Sequence, residues 1–198
     1  MGLVRAYVGL GANVGEPEAT LAAAVHALAA LPGARLRGVS RLYATDPVGV
    51  LDQPEFRNAV VSLDVPAGSS AEVGAVALLL ALKALERAFG RTPREHWGPR
   101  EVDLDLLVFG RHAVEVERPP EGRSADPAKV FLPLTVPHRE ARQRLFVLAP
   151  LADLAPRLVP PGWGETVASA RARRLAVEGP GAVRAIATWD GASWRPLG

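Results

Sequence analysis

Asp103 and Asp105 stand two residues apart in WGPREVDLDLLVFG, residues 97 to 110. In an extended strand, side chains two apart point to the same side with Cα atoms about 6.5 to 7 Å apart. The two carboxylates therefore share a face, while Val102, Leu104, Leu106 and Val108 make an apolar row on the other, suited to lying under helices. Adjacent carboxylates repel, and partly buried ones take up a proton unless a cation compensates. The chain has no cysteine, which excludes disulfides, thiolate-held zinc, iron–sulfur clusters and thiol catalysis. Any metal must then sit on oxygen or imidazole, and a carboxylate pair suits Mg²⁺, which fills its other positions with water and substrate phosphates. D-x-D alone fits an exposed strand face paired with Arg100 equally well. The company favours the metal: Arg91, Arg94 and Arg100 flank Trp97 beside the strand, a set that can surround a triphosphate and stack on a flat ring. No Gly-x-x-x-x-Gly-Lys-[Ser/Thr] occurs, and GLGANVG (9 to 15) lacks the lysine and the spacing, so this is not a P-loop protein.

The chain that must position these groups has 198 residues, 48% hydrophobic and 22% charged. That is enough for one good-sized core, and we expect one domain with a C-terminal appendage. No apolar run approaches the roughly 18 residues that span a bilayer, and MGLVRAYVGLGAN lacks the features of a secretory leader. Gly2 lacks the Ser or Thr that myristoylation wants, since Ala6 stands there. A cytoplasmic location without a membrane partner is expected. The pI near 9.5 accompanies a net charge of only +2. The basic residues are arginines apart from Lys83 and Lys129, and RARRL (171 to 175) reads as a solvated Arg-rich face. No nucleic-acid partner is expected.

RAYVGLGAN (5 to 13) reads as a strand entering a Gly-rich turn, and EATLAAAVHALAAL (18 to 31) as a helix with Pro17 in its first turn and Pro32-Gly33 at its end. RLRGVSRLYAT (35 to 45) and FRNAVVSLDV (56 to 65) are strands that can pair antiparallel across the loop DPVGVLDQPE. Residues 69 to 90 form the strongest helix, capped by Ser69 or Ser70 and stopped at Gly90. With EVDLDLLVF the order is βαββαβ, which predicts an α+β, ferredoxin-like antiparallel sheet with two helices on one face. A hairpin is possible at GRHA, residues 117 to 129 read as an exposed excursion, and residues 131 to 156 as short mixed pieces. The tail from 182 to 197 alternates around Asp190-Gly191, a hairpin signal.

Four blocks, LGAN (10 to 13), TDPVGVLDQPEFRNAVV (45 to 61), ERAFGRTPREHWGPREVDLDLLVFG (86 to 110) and LTVPHREARQRLFVLAPL (134 to 151), occur in the order and approximate spacing of one family. Over about residues 3 to 160 the chain resembles the 6-hydroxymethyl-7,8-dihydropterin pyrophosphokinases of folate biosynthesis. The resemblance implies a ferredoxin-like α/β fold and transfer of the β,γ-pyrophosphoryl unit of ATP to the pterin hydroxymethyl group, with release of AMP. It implies that Asp103 and Asp105 hold two Mg²⁺ ions, and that Arg91 and Arg100 act on the phosphates as catalytic arginines. The loop RTPREH between Gly90 and Trp97 is one residue shorter than the family's form, and Arg94 is its candidate second arginine. His138 and Arg144 match further ATP positions, Thr135 and Leu106 line the nucleotide site, and Glu86 reaches toward ATP from the end of the long helix. On the pterin side, Phe56 and Phe146 match a stacking pair, Asn58 holds the ring edge, Thr45, Pro47 and Val48 form the wall, and Trp97 closes over the site. Residues 1 to 160 are then the catalytic domain and 161 to 198 an extension on the same body. The expected partners are ATP and the pterin alone, in a monomer or weak homo-oligomer.

Two other readings use some of the same residues. A nucleotidyltransferase also places D-x-D on a strand, but a Gly-Ser turn shortly upstream of the acids is missing. An RNA-binding module shares the βαββαβ order, yet the strand that should carry aromatic platforms carries acids instead.

Overall fold

In β1, Leu3–Ala12, alternate side chains Ala6, Val8, Leu10 and Ala12 are buried, as a half-buried strand requires. In a computed structural model that describes residues 2–46, 53–90, 101–124 and 130–198, this strand lies second from one edge of the main sheet. α1, Pro17–Ala29, opens on a proline, whose missing N–H costs nothing in the first turn. It buries Leu21, Ala24, Val25 and Leu28, one stripe at helical spacing. The segment expected as one strand from 35 to 45 is two, β2 at Arg35–Val39 and β3 at Leu42–Thr45. Both pair antiparallel with β4, Phe56–Pro66. Ser40 makes the break: its hydroxyl accepts the Val60 N–H at 2.9 Å.

α2, Ala71–Ala88, is capped by Ser70, whose Oγ accepts the Val73 N–H at 3.3 Å. Gly74 lets this helix approach closely, because a Cβ there would stand 2.2 Å from the Ala67 carbonyl oxygen and 2.8 Å from the Phe109 ring. β5, Asp103–Phe109, runs antiparallel beside β1. Among the described residues the main sheet has the order β5-β1-β4-β3, with β2 also on β4, and continues into β8, Val183–Trp189, and β9, Trp194–Pro196. A separate two-stranded sheet joins β6, Val114–Val116, to β7, Leu134–Val136. The hairpin considered at GRHA is therefore absent from the described residues; β6 turns away from β5 and finds β7. Residues Pro120–Gly122 of the excursion form a 3-10 turn.

The larger core lies between the sheet and α1 with α2. The other face carries α3, Leu145–Leu154, and α4, Val167–Glu178, which close a smaller core of Val60, Leu107, Val108, Leu148, Leu151 and Trp163. Helices thus cover both faces, where one was expected. Val108 is a second correction. The β1–β5 register shifts between Tyr7 and Val8, so Val108 turns to the α3 side while Phe109 enters the larger core. The tail hairpin forms at Asp190, whose Oδ1 accepts the Ala192 and Ser193 N–H groups at 2.8 Å. No helix among the described residues is long and apolar enough to cross a membrane.

Candidate active site

Three neighbouring strands build the floor of one cleft. Across β4, β1 and β5, Asn58 stands opposite Gly11 and Gly11 opposite Asp103; one step along, Val60 stands opposite Gly9 and Gly9 opposite Asp105. Two glycines in the middle strand remove the side chains that would otherwise stand between Asn58 and the two acids. Asn58, Asp103, Asp105, Gly9, Gly11 and Leu107 all line the cleft. Leu104 and Leu106 point the opposite way into the larger core, so the shared face expected of the two aspartates holds.

The remaining walls come from chain ends. Thr45, the last residue of β3, stands opposite Phe56, the first of β4, and its Oγ1 accepts Nδ2–H of Asn58 at 2.9 Å. That bond orients the amide of a buried asparagine. α3 delivers Phe146 in its first turn, and the Arg144 guanidinium lies 5.6 Å from that ring's centroid while pairing with Glu140. The far end of α3 is fastened to the sheet, since Asp153 accepts Arg41 Nη2–H at 2.6 Å and the Tyr43 hydroxyl at 2.9 Å. His138 follows β7; its N–H donates to the Leu107 carbonyl at 2.9 Å. Its Nδ1 accepts the Glu140 N–H at 3.3 Å, which leaves the proton of the neutral ring on Nε2. Burial pushes the imidazole below its ordinary value, against the pull of Asp105.

Of the residues expected at the site, Thr45, Phe56, Asn58, Asp103, Asp105, His138, Arg144 and Phe146 are brought together around this cleft. Glu86, Leu106 and Thr135 are not among its described lining. Leu106 faces the opposite core, and Thr135 sits mid-strand in β7. Glu86 is buried, with its carboxylate accepting Lys83 Nζ–H at 2.8 Å and the Leu104 N–H at 2.8 Å. It fastens α2 to β5 between the two aspartates. Pro47, Val48, Arg91, Arg94, Trp97 and Arg100 lie outside the described residues.

Sequence reasoning missed Lys83, Arg118 and Arg139, which also line the cleft. Burial lowers the affinity of the Arg118 guanidinium for its proton, Asp105 raises it and Arg139 lowers it. The buried Nε of Arg118 has no hydrogen-bond partner among the described residues. A lone lysine within the apolar run LLLALKAL was a usable signal for Lys83; nothing in the Pro-rich stretch ERPPEG marked Arg118. The cleft therefore gathers two carboxylates, several cationic side chains and the phenyl rings of Phe56 and Phe146 around one space, with Arg144 lying beside the Phe146 ring. Among the described residues no group of three His, Cys, Asp or Glu side chains is placed to hold a metal by protein ligands alone. Two carboxylates facing a polyphosphate would fit Mg²⁺, which leaves most of its positions to phosphate and water.

Comparison with known proteins gives the same direction. A family model described as 7,8-dihydro-6-hydroxymethylpterin-pyrophosphokinase (HPPK) matches residues 7–156. The chain is similar to a 2-amino-4-hydroxy-6-hydroxymethyldihydropteridine pyrophosphokinase of Pseudomonas aeruginosa, 42% identical over 154 residues, 78% of this chain and 82% of that one. A protein of the same name from Methylorubrum extorquens is 41% identical over 171 residues, 86% of this chain and 94% of that one. Among solved structures, a Plasmodium falciparum HPPK-DHPS chain with pteroate superposes with a TM-score of 0.72 at 14% identity, covering 98% of this chain and 48% of that one. That likeness concerns the fold, and this chain spans about half the length of that solved chain.

Proposed function

The chain belongs to the 7,8-dihydro-6-hydroxymethylpterin-pyrophosphokinase family, whose reaction passes pyrophosphate from ATP to 6-hydroxymethyl-7,8-dihydropterin in folate biosynthesis, and we propose that it does so in the cleft between β1, β4, β5 and α3. The observation that carries this reading is the row Asn58–Gly11–Asp103 beside Val60–Gly9–Asp105: a hydrogen-bonding amide, open space and paired acids across three strands.

In this reading the pterin lies at the Thr45, Phe56, Asn58 and Phe146 end. Its fused ring is held between phenyl faces while the Asn58 amide, turned by Thr45, meets its polar edge. The triphosphate lies over Gly9 and Gly11 toward Arg118, Arg139 and His138, with Arg144, beside the Phe146 ring, where the two substrates meet; guanidinium groups there hold its oxygens in a fixed orientation. A hydroxymethyl oxygen placed in line with the β-phosphorus forms the new P–O bond as the bond to the bridging α-phosphate oxygen breaks; AMP leaves with that oxygen and the hydroxyl proton passes to solvent water. Asp103 and Asp105 would hold Mg²⁺, two ions by the resemblance, which supplies charge neutralisation at the phosphates and acidifies the attacking hydroxyl. The neutral His138 ring can donate from Nε2 without adding charge. Arg91 and Arg100 as catalytic arginines, Arg94 and Trp97 at the nucleotide, and Pro47 and Val48 at the pterin remain part of the proposal on the family resemblance alone.

The architecture is read as ferredoxin-like over its first seven elements, β1 through β5 with α1 and α2, the split pair β2 and β3 standing for one strand, with support from the antiparallel order β5-β1-β4 with β2 and β3 both on β4. Residues 1 to 160 are read as the catalytic part and 161 to 198 as an extension on the same body, supported by Ala187 and Trp194 in the larger core. We further read the enzyme as cytoplasmic, a monomer or weak homo-oligomer, acting on small molecules without nucleic acid.

Incubation with ATP, Mg²⁺ and the hydroxymethyl pterin is expected to release AMP, whereas release of inorganic pyrophosphate would favour nucleotidyl transfer. Asp103→Ala and Asp105→Ala are each expected to abolish AMP release while circular dichroism stays that of the parent. Normal turnover in either variant removes the metal role.

A further inference from the structure

The C-terminal hairpin packs behind one wall of the same cleft, on the strand that ends at Thr45. β8 joins the main sheet beside β3, setting Val183 opposite Thr45 and Arg184 opposite Ala44. β3 in turn sets Thr45 opposite Phe56. Arg184 also crosses to β4's entrance and pairs with Glu55, the residue before Phe56. Glu55 meets Arg57 at 3.2 Å on its other side, so one carboxylate is held between two guanidinium groups where β4 begins. The hairpin carrying Arg184 is itself anchored. Trp194 is buried and donates Nε1–H to the Ser40 carbonyl at 3.0 Å, and His26 of α1 shares a 2.8 Å hydrogen bond with the Ala192 carbonyl.

We propose that β8 is a built-in support of the pterin-side wall, and that Arg184, acting through Glu55, is a positioning residue for Phe56. The physical reason is local. Phe56 is the first residue of its strand, where ladder hydrogen bonds hold the chain from one direction only. A ring that stacks on a flat substrate is sensitive to tilt, and a fixed charge on the preceding residue restrains that tilt. Arg184 touches neither substrate in this arrangement; it acts on the angle at which Phe56 enters the cleft. The inference rests on the pterin reading of Phe56 and Asn58.

The test uses the full chain with Arg184→Glu, Arg184→Gln, Arg184→Lys and Phe56→Ala, measuring KM for each substrate, kcat and Tm. Both partners are about half-exposed, with side-chain accessibilities of 45% and 40%, so the effect of an exposed pair applies. Arg184→Glu is expected to raise the pterin KM about fivefold and Arg184→Gln about twofold. Arg184→Lys should stay near the parent, with the ATP KM, kcat and Tm of all three little changed. An unchanged pterin KM in Arg184→Glu, or an equal rise in both KM values, overturns the proposal. If Phe56→Ala raises the pterin KM while Arg184→Glu and Arg184→Gln are silent, this inference falls and the site reading stands. If Phe56→Ala is silent as well, the site reading itself fails.

Discussion

Glu86 separates two accounts of one residue, because the family resemblance sends it to ATP and the structure ties it between α2 and β5. Its side chain and that of Lys83 are 3% and 8% exposed, and they pair at 2.8 Å. Its Oε1 also accepts the Leu104 N–H, between the two aspartates. Glu86→Ala removes the partner of a buried ammonium and the acceptor of a buried N–H together. Breaking a buried pair by deleting one member costs about 3 to 5 kcal/mol, and the orphaned N–H contributes within that range rather than on top of it. For a chain of this size the loss corresponds to a fall in Tm of about 6 to 20 °C. A total stability of about 5 to 15 kcal/mol leaves the variant largely folded in the cold, so ATP titration at low temperature remains possible. Lys83→Met with Glu86→Leu replaces the ion pair by apolar contact and is expected to recover a good part of the lost Tm. Thermal denaturation followed by circular dichroism, alongside isothermal titration with ATP, reads both quantities. A Tm within 2 °C of the parent with ATP affinity reduced tenfold would refute the structural role and return Glu86 to the nucleotide.

Gly74→Ala is expected to destabilise by about 1 to 3 kcal/mol, since the new Cβ would meet the Ala67 carbonyl at 2.2 Å unless α2 shifts; chemical denaturation measures it, and an unchanged midpoint counts against the close approach. Asp190 is held down to about 2, first by the Ser193 and Ala192 N–H groups and then by Arg195. A depressed carboxylate stabilises the fold above its unfolded value, near 3.8, and that contribution disappears as pH falls through about 2. The Ala192 and Ser193 amide resonances should therefore titrate with a midpoint near pH 2; a midpoint near 3.8 would show that the turn bonds do not hold the charge.

Periodicity and chemistry together made the site's centre legible. Alternation in EVDLDLLVF alone puts Asp103 and Asp105 on one side, because strand geometry leaves two-apart side chains no other choice. The same local rules found α1, α2, β1, β4 and the Asp190 turn, each marked by a proline, a cap or an apolar period of its own. α4 was invisible for a physical reason: only Val167 and Ala170 of its twelve residues are buried, and RARRL read as surface. Alternation places Val108 with Leu104 and Leu106, whereas a register shift between β1 and β5 turns it to the other side, and bulges answer to pairing rather than to the strand's own residues.

What the amino-acid order determined unaided was the chemistry on offer: two acids on one face, no thiol, and a family pattern of blocks that names a substrate class. Which groups meet was decided only in three dimensions. Lys83, Arg118 and Phe146 are far apart along the chain and enter one cleft because α2, the β6–β7 sheet and α3 converge on the same strand ends. Glu86, expected at ATP, carries a tie between α2 and β5 that the sequence does not announce, since its carboxylate accepts from an ammonium and a backbone N–H that burial requires to be satisfied. Side-chain direction within one element follows from covalent geometry; the choice of neighbour follows from packing, and no local pattern encodes it.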